Sequence, residues 1–361
     1  MRIPVWLFIA GVLGTMAATA LVAGLAWFGI RQLSLQAALA GIELPPLALN
    51  LQQAPTPFPT LAPAVQTRAE APPAATLPAV MPPALEDPRA RNILLLGIDQ
   101  RAGTVSDERY FRSDTLLVVR IEPLRQSLAM LSVPRDLWLP FADGGPPGRI
   151  NSANSRGDSQ GYPTGGPGLT ADTLQESFGL RIDNYLLVNF DAFLTAVDLL
   201  APEGVEVCIE QRIDDPHYPD GNYGTILVTF ERGCQPLDAE RLLQYARTRA
   251  TRGADFDRAR RQQQVLIAML RHIASLEGIG RLISQAPVLW QELGRSFRTD
   301  LSLDEILQLG MLLRGIPEEN LRQGVIDNQV VRFGTTANGD HVLYPDNVAI
   351  RALIQEVFGN G

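Results

Sequence analysis

NILLLGI, residues Asn92–Ile98, is an almost unbroken apolar run of strand length. TLLVVRI, residues Thr115–Ile121, repeats the pattern, and LAMLSV, residues Leu128–Val133, resembles both. Runs of this kind, without polar residues at every second position, are typical of strands that are covered on both faces. These three segments therefore predict a sheet with packed layers above and below it.

Strand and helix patterns intersperse through the rest of the body, which runs from about residue 91 to residue 361. Two further strands are predicted at Tyr185–Phe190 and Val205–Ile209. Apolar residues at helical spacing predict helices at Asp172–Phe178, Asp191–Leu200, Asp238–Tyr245, Arg258–Leu276, Leu303–Leu313 and Asn347–Phe358. This mixture indicates a layered α/β fold. No internal repeat divides the body, so residues 91–361 are predicted to form one domain.

The first 90 residues differ from the body in composition. Ile3–Ile30 contains no charged residue over 28 positions, which suits a membrane-spanning helix better than the shorter core of a cleaved signal peptide. Pro45–Pro88 contains twelve prolines and no apolar period, as in an extended linker. We expect a short cytoplasmic tail and anchor over residues 1–31, a Pro/Ala-rich linker over 32–90, and an extracytoplasmic body held at the cell membrane by a single span.

Charge and cysteine content restrict the ligands and the cellular compartment that the sequence predicts. All 31 basic residues are arginine, and the formal net charge of −8 argues against general nucleic-acid binding. The two cysteines, Cys208 and Cys234, would be inert core residues in a cytosolic protein but would pair in an exported one. An external body favours the disulfide.

Residues Arg247–Arg261 carry six arginines against only Asp255 and Asp257. Either aspartate suits the N-cap of a following helix, in which Arg258, Arg261 and Gln262 would share a face. The segment fits two interpretations equally well, a solvated charged surface or a phosphate site at a helix N-terminus.

Aspartate and arginine also occur together at three predicted strand ends. The segments are GIDQR (Gly97–Arg101), RSDT (Arg112–Thr115) and SVPRD (Ser132–Asp136). A single aspartate at such a position is more often a turn residue than a ligand, but loops at strand ends build the sites of α/β sheets. Two carboxylates, Asp99 and Asp114, are predicted to lie close enough to share a hard cation such as Mg²⁺.

Other chemistries have weaker support. The three histidines are far apart and show no metal-binding spacing, and no Walker motif occurs. GDSQG, residues Gly157–Gly161, matches a nucleophile motif by letter but lies in the Gly/Pro-rich segment 144–168, which is predicted to be a loop.

At these residues the sequence resembles the LytR–CpsA–Psr family of cell-wall glycopolymer transferases. The matching segments, in the family's order, are GIDQR, RSDT, LSVPRD, RINSAN, LDAERLLQYARTR and DFDRARRQQ, and the resemblance covers about Asn92 to Phe358. It implies a central mixed β-sheet flanked by helices, with an apolar channel for a lipid. It further implies transfer of a phospho-glycan from a polyprenyl-diphosphate lipid carrier to peptidoglycan, outside the membrane.

The resemblance also assigns roles to residues. Asp99 and Asp114 would bind Mg²⁺ or Mn²⁺, and Asp255 would orient the arginines. The diphosphate would be held by Arg112, Arg135, Arg247, Arg249, Arg258 and Gln262, with Arg101 as an addition, whereas Arg252 and Arg260 fall outside the motif and are interpreted as surface charges. Apart from the resemblance, the Gly/Pro-rich composition of segment 144–168 predicts a loop that gates substrate entry.

Three alternatives remain open at this stage. The body could hydrolyse lipid diphosphates with water as the acceptor. It could bind polyprenyl phosphates without catalysis and organise wall assembly. It could also regulate transcription, although the external body and the absence of a helix-turn-helix pattern speak against that.

Overall fold

A computed structural model of the chain describes residues 90–99, 110–220, 224–275, 297–313 and 316–359, with the isolated positions 281, 285 and 288. The predicted membrane anchor, almost all of the predicted linker, and Arg101 lie outside the described residues. Within these ranges no helix is both long and apolar enough to cross a membrane.

The fold is organised around a six-stranded mixed sheet in the order β11-β6-β1-β2-β3-β12. Its strands are β1 (Arg91–Ile98), β2 (Ser113–Glu122), β3 (Ser127–Ser132), β6 (Asn184–Asn189), β11 (Phe297–Thr299) and β12 (Leu321–Val325). The β1–β2, β2–β3 and β6–β11 pairs are antiparallel, whereas β1–β6 and β3–β12 are parallel. The expected central mixed sheet is thus confirmed, and each of the five predicted strands lies within one or two residues of an observed one.

Both faces of the sheet are buried, as the continuous apolar runs predict. Leu94, Leu96 and Val118 belong to one core cluster, while the alternating residues Ile93 and Leu117 belong to another on the opposite face. The first face packs against helices α1 (Asn151–Ser159), α2 (Gly165–Phe178) and α7 (Asn347–Phe358), and the second against α5 (Ala254–Ala274) and α6 (Leu303–Leu313). The result is a three-layer α/β arrangement.

A third apolar cluster lies beside the sheet. It is built from the helices α3 (Phe190–Leu200) and α4 (Ala239–Arg247), the strand pairs β7 (Val205–Ile209) with β10 (Gly233–Leu237) and β8 (Ile213–Pro219) with β9 (Thr225–Phe230), and Val265 of α5. Cys208 and Cys234 face each other in the β7–β10 register and form a disulfide. The predicted disulfide is therefore confirmed.

Three local predictions were wrong. The segment 144–168 is not a loop: it contains β5 (Gly148–Arg149), which pairs with β4 (Trp138–Leu139), then α1 and the start of α2. Gly157 serves close packing, since a Cβ there would lie 2.7 Å from the carbonyl oxygen of Gly165. Helix α5 begins at Ala254, four residues before the predicted start, and its N-cap is Gly253 instead of Asp255 or Asp257.

The last strands form a separate hairpin. β13 (Val331–Thr335) and β14 (His341–Pro345) pair antiparallel, and Leu343 makes a bridge to Leu137, directly after the SVPRD segment. This hairpin lies next to the site described below.

Candidate active site at one end of the sheet

Three strand ends meet at one end of the central sheet. Because β1, β2 and β3 run antiparallel in turn, the C-terminal end of β1, the N-terminal end of β2 and the C-terminal end of β3 lie side by side. Asp99 follows β1, Asp114 lies at the start of β2, and Arg135 follows β3, as the sequence predicts.

The structure also shows how the side chain of Asp114 is oriented. Gly97 pairs with Thr115 and Ile98 with Ser113, so Asp114 is the extra residue of a β-bulge, a feature that redirects side chains next to sites.

The first turn of α5 is brought to the same place. Gln263 is buried, and its Nε2 donates hydrogen bonds of 2.8 Å to Ser132 Oγ and to the carbonyl oxygen of Gly324. These bonds fix the middle of α5 against the ends of β3 and β12 and so place the turns that precede it. Arg258 then reaches β2, where its Nη2 donates to the backbone oxygen of Asp114 at 3.3 Å.

Asp255 lies at the centre of the charged groups. Its Oδ1 is 3.0 Å from Arg249 Nε and 3.2 Å from Arg258 Nη2, and its Oδ2 is 4.0 Å from Arg135 Nη2. One carboxylate thus faces three guanidinium groups. The orienting role that the sequence assigned to Asp255 fits this position, but one negative charge does not balance three positive ones.

Arg258 is the least compensated of these cations. Its side chain is 9% exposed and its Nε has no hydrogen-bond partner. Burial, together with repulsion from Arg249 and Arg135, lowers the pKa of Arg258 to about 10, against the partial compensation of Asp255 and Asp114. A buried arginine whose pKa is depressed gains from any anion that reaches it.

Arg135 has more carboxylates around it. Its Nη1 donates to Asp114 Oδ1 at 3.0 Å, and its Nε lies 3.6 Å from Asp136 Oδ2 without forming an aligned hydrogen bond. Burial lowers the pKa of Arg135, but Asp114, Asp255 and Asp136 more than offset that effect, so the pKa is raised overall. Arg135 is thus held firmly in place and keeps an unused donor.

Arg247 is held by aromatic rings. Its guanidinium lies 4.2 Å from the centre of the Phe190 ring and 5.6 Å from that of Tyr218, whose hydroxyl oxygen accepts from its Nη1 at 3.2 Å. Its Nη2 is 3.5 Å from Asp99 Oδ2. These contacts orient the cation towards the end of β1.

Arg261 was grouped with Arg258 on one helix face, but it performs a different task. It is 6% exposed, and it donates to the carbonyl oxygens of Tyr245 and Thr248 and, at 3.2 Å, to Thr251 Oγ1. It therefore fastens the segment between α4 and α5, which carries Arg249. The sequence could have suggested this, since an arginine three residues from Arg258 on an amphipathic helix must point into the same interior.

A cavity of about 700 Å³ opens at this cluster. Such a volume is within the usual range for small-molecule sites. Its lining includes Asp114, Arg135, Asp255, Arg258 and Gln262. Arg252 and Arg260, interpreted from sequence as surface charges, are exposed as expected but also line the cavity.

The remaining predicted site residues lie outside this lining. Asp99, Arg247 and Arg249 belong to the surrounding ion-pair network instead. Arg112 is exposed and, within the described part of the chain, forms no ion pair. It is therefore available to an anion at the start of β2.

Asp99 and Asp114 provide the oxygen donors that Mg²⁺ prefers, and both side chains are partly exposed, at 43% and 36%. No group of three or more candidate ligand side chains occurs among the described residues. Mg²⁺ is commonly held by one or two carboxylates together with substrate phosphates, so the donor set fits such an ion.

The fold and the site together define an α/β domain with an arginine-lined cavity at one end of its mixed sheet. The sequence profile of the LytR_cpsA_psr family matches residues 65–357, and the chain belongs to this family. The match begins within the segment predicted to be the linker.

Individual relatives agree with this assignment. The polyisoprenyl-teichoic acid–peptidoglycan teichoic acid transferase TagU of Oceanobacillus iheyensis is 31% identical over 277 residues, covering 75% of this chain and 76% of that protein. Among solved structures, TagV of B. subtilis has a TM-score of 0.58 at 24% identity, covering 76% of this chain and 98% of that one. A structure described as TagT bound to LIIa-WTA has a TM-score of 0.56 at 22% identity, covering 78% of this chain and 96% of that one. These two likenesses concern the fold.

Proposed function

We propose that this protein is a phosphotransferase that moves a phospho-glycopolymer from a polyprenyl-diphosphate lipid carrier to peptidoglycan, outside the membrane. The observation that carries the proposal is the under-compensated cluster of Arg135, Arg258 and Asp255 in the cavity. A diphosphate supplies the missing negative charge, and guanidinium groups bind phosphate oxygens in a bidentate manner. The activity named for the TagU relative supports the choice of donor and acceptor.

The reaction needs no nucleophile from the protein. The oxygen of a peptidoglycan hydroxyl attacks the phosphorus that carries the glycan. The bond from that phosphorus to the bridging oxygen breaks, polyprenyl phosphate leaves, and the hydroxyl proton is released. The rate enhancement comes from positioning and from stabilising the charge on the phosphoryl oxygens and on the leaving phosphate.

Each residue has a part in this scheme. Arg135 and Arg258 bind the diphosphate through their guanidinium groups at the cavity wall, Gln262 contacts it from the same wall, and Asp255 holds the arginines in position. Arg112, Arg247 and Arg249 approach from the cavity edge. Asp99 and Asp114 would hold Mg²⁺, which when bound neutralises part of the phosphate charge.

The membrane anchor over residues 1–31 and the linker over 32–90 complete the proposal, since a lipid-linked substrate requires the body to work near the membrane.

Lipid-diphosphate hydrolysis is the second candidate function. The same cluster would bind the substrate, and water would replace the peptidoglycan hydroxyl.

One experiment separates the two functions. The purified protein is incubated with a lipid-diphosphate glycan and Mg²⁺, with and without soluble peptidoglycan fragments. A covalent glycan–peptidoglycan product that forms only with the fragments supports transfer. Release of free phospho-glycan at the same rate in both mixtures would assign hydrolysis instead.

A further inference from the structure

Part of the cavity wall, beside the arginine cluster, is formed by the β13–β14 hairpin. Strand alternation and register place Phe333, Thr335, His341 and Leu343 on one face of this hairpin, and all four line the cavity. Leu343 is buried at 8%, whereas the side chains nearer the hairpin tip are exposed. The exposed part of this face has no role in the diphosphate scheme above.

The hairpin is fixed to the segment that carries Arg135. The backbone nitrogen of Leu343 donates to the carbonyl oxygen of Asp136 at 3.0 Å. Arg149 adds a second connection, because its Nη2 donates to the carbonyl oxygen of His341 at 3.0 Å and its Nε lies 3.6 Å from Asp136 Oδ1. The hairpin therefore keeps a defined distance from the arginine cluster.

Phe333 is the most conspicuous side chain of this wall. It is 73% exposed, which is unusual for a large apolar residue in a strand. Its ring meets Phe256 edge to face, with the ring centres 6.3 Å apart and an interplanar angle of 71°. Phe256 follows Asp255 directly in α5, so the exposed ring stands next to the arginine cluster with a free face.

The surroundings of Phe333 are polar. Asn328, Thr335 and His341 are exposed along the same wall, and His341 Nδ1 lies 3.4 Å from Thr335 Oγ1. Amide, hydroxyl and imidazole groups in the same cavity wall as an exposed aromatic ring suit a ligand that combines C–H edges with hydroxyls. A lipid tail would cover these polar groups without hydrogen-bonding to them, whereas a sugar supplies partners for them.

We propose that the exposed face of the β13–β14 hairpin is a sugar subsite, in which a pyranose ring stacks on Phe333 and hydrogen-bonds to Asn328, Thr335 and His341. The inference rests on the proposed function, since the diphosphate fixes where the ring lies. The ring belongs either to the donor glycan next to the diphosphate or to the peptidoglycan acceptor. In both cases Phe333 determines which saccharide is accepted.

Binding measurements on the full chain test the subsite separately from transfer. The variants are Phe333→Ala, Phe333→Trp and the control Leu227→Ala, which removes another exposed apolar side chain, 66% exposed on β9 and outside the cavity lining. Three probes are used: a short-chain polyprenyl diphosphate without sugar, the same diphosphate bearing one hexosamine, and a soluble peptidoglycan fragment.

We expect Phe333→Ala to weaken binding of one sugar-bearing probe about five- to tenfold, the usual scale of a single aromatic contact, while Phe333→Trp and Leu227→Ala match the wild type. An effect on the hexosamine lipid assigns the ring to the donor, and an effect on the fragment assigns it to the acceptor. Equal binding of every probe by Phe333→Ala and the wild type would overturn the subsite, as would an equal loss for the sugar-free diphosphate. If the wild type binds no diphosphate at all, the proposed function fails instead.

Discussion

Asp255 Oδ1 lies 3.2 Å from Arg258 Nη2, one helical turn further along α5, yet the pKa of Arg258 remains as low as about 10. Burial is the main cause, and repulsion from Arg249 and Arg135, which lie 3.0 and 4.0 Å from the same carboxylate, adds to it. The protein therefore holds a buried positive charge that its own carboxylates do not balance. Under the proposed function a diphosphate balances this charge, which accounts for the cluster of arginines in an acidic chain.

Replacing Arg258 tests the importance of that charge. We expect Arg258→Met to lower the rate of glycan transfer about 10- to 150-fold, because one charge-assisted hydrogen bond is worth roughly 1.5–3 kcal/mol. The free energy of unfolding should change by less than about 1 kcal/mol, because burying an imperfectly paired cation costs stability in the wild type. Steady-state kinetics and urea unfolding measure the two effects.

The matched control is Arg271→Met on the same helix. Arg271 is 57% exposed and pairs with Glu318, away from the cavity. Its replacement should leave transfer unchanged. An equal loss of transfer rate in both variants would show that the effect is not specific to Arg258.

The low pKa of Arg258 predicts a pH dependence of ligand binding. The protonated guanidinium is the form that binds an anion, so affinity is complete below about pH 10 and falls as the pH rises through that value. Calorimetric titration between pH 7 and 10.5 with a glycosylated lipid diphosphate, whose phosphates keep a constant charge over this range, measures the effect. Arg258→Met should abolish this dependence, and an identical fall in that variant would contradict the assignment.

Arg261 is predicted to be a structural and positioning residue. Arg261→Met leaves the buried carbonyl oxygens of Tyr245 and Thr248 without their donor, which should cost about 2–4 kcal/mol of unfolding free energy. Transfer should also fall, because the segment that carries Arg249 loses its anchor. The neighbouring, half-exposed Arg260 provides the comparison: Arg260→Met should be much less destabilising. Similar stabilities for the two variants would show that Arg261 does not have this role.

The disulfide between Cys208 and Cys234 should contribute about 3 kcal/mol to the free energy of unfolding, from the loop it closes in the unfolded chain. The double variant Cys208→Ala/Cys234→Ala, unfolded in urea beside the wild type, gives this value. Thiol alkylation of the native protein should label neither cysteine, and labelling of both would contradict the pairing.

Asp114 is predicted to take part in Mg²⁺ binding. Asp114→Asn should raise the Mg²⁺ concentration needed for half-maximal transfer by about tenfold or more, because a neutral amide is a weaker ligand than a carboxylate. Asp214→Asn, on the exposed surface of β8, should leave it unchanged. A Mg²⁺ titration identical to that of the wild type would exclude Asp114 as a ligand.

The sequence predicts most of the central sheet because burial on both faces leaves a continuous apolar signal, as in Asn92–Ile98 and Thr115–Ile121. It does not predict β12, whose residues LRQGV mix polar side chains with a glycine at the sheet edge. The glycines of segment 144–168 indicate a loop, although Gly157 instead allows α1 and α2 to pack closely. Pattern alone does not distinguish these two uses of glycine.

The sequence predicts which residues belong to the site, but it does not predict what each of them does there. The motifs identify Asp114, Arg135, Asp255 and Arg258, which the structure places around one cavity. Local sequence cannot show that Arg261 bonds to the backbone, or that a hairpin more than 70 residues after Arg258 supplies part of the cavity wall. Both depend on tertiary contacts.

The most direct test of the account follows the phosphorus atom. A lipid-diphosphate glycan labelled at the phosphorus next to the sugar is incubated with Mg²⁺, peptidoglycan fragments and either the wild type or Arg135→Gln. We predict that the wild type places the label in peptidoglycan, joined to the glycan, with unlabelled polyprenyl phosphate released, and that Arg135→Gln does so at least about tenfold more slowly. Label that remains on the lipid or leaves as soluble phospho-glycan, or transfer at an equal rate by the variant, would contradict phosphoryl transfer at the arginine cluster.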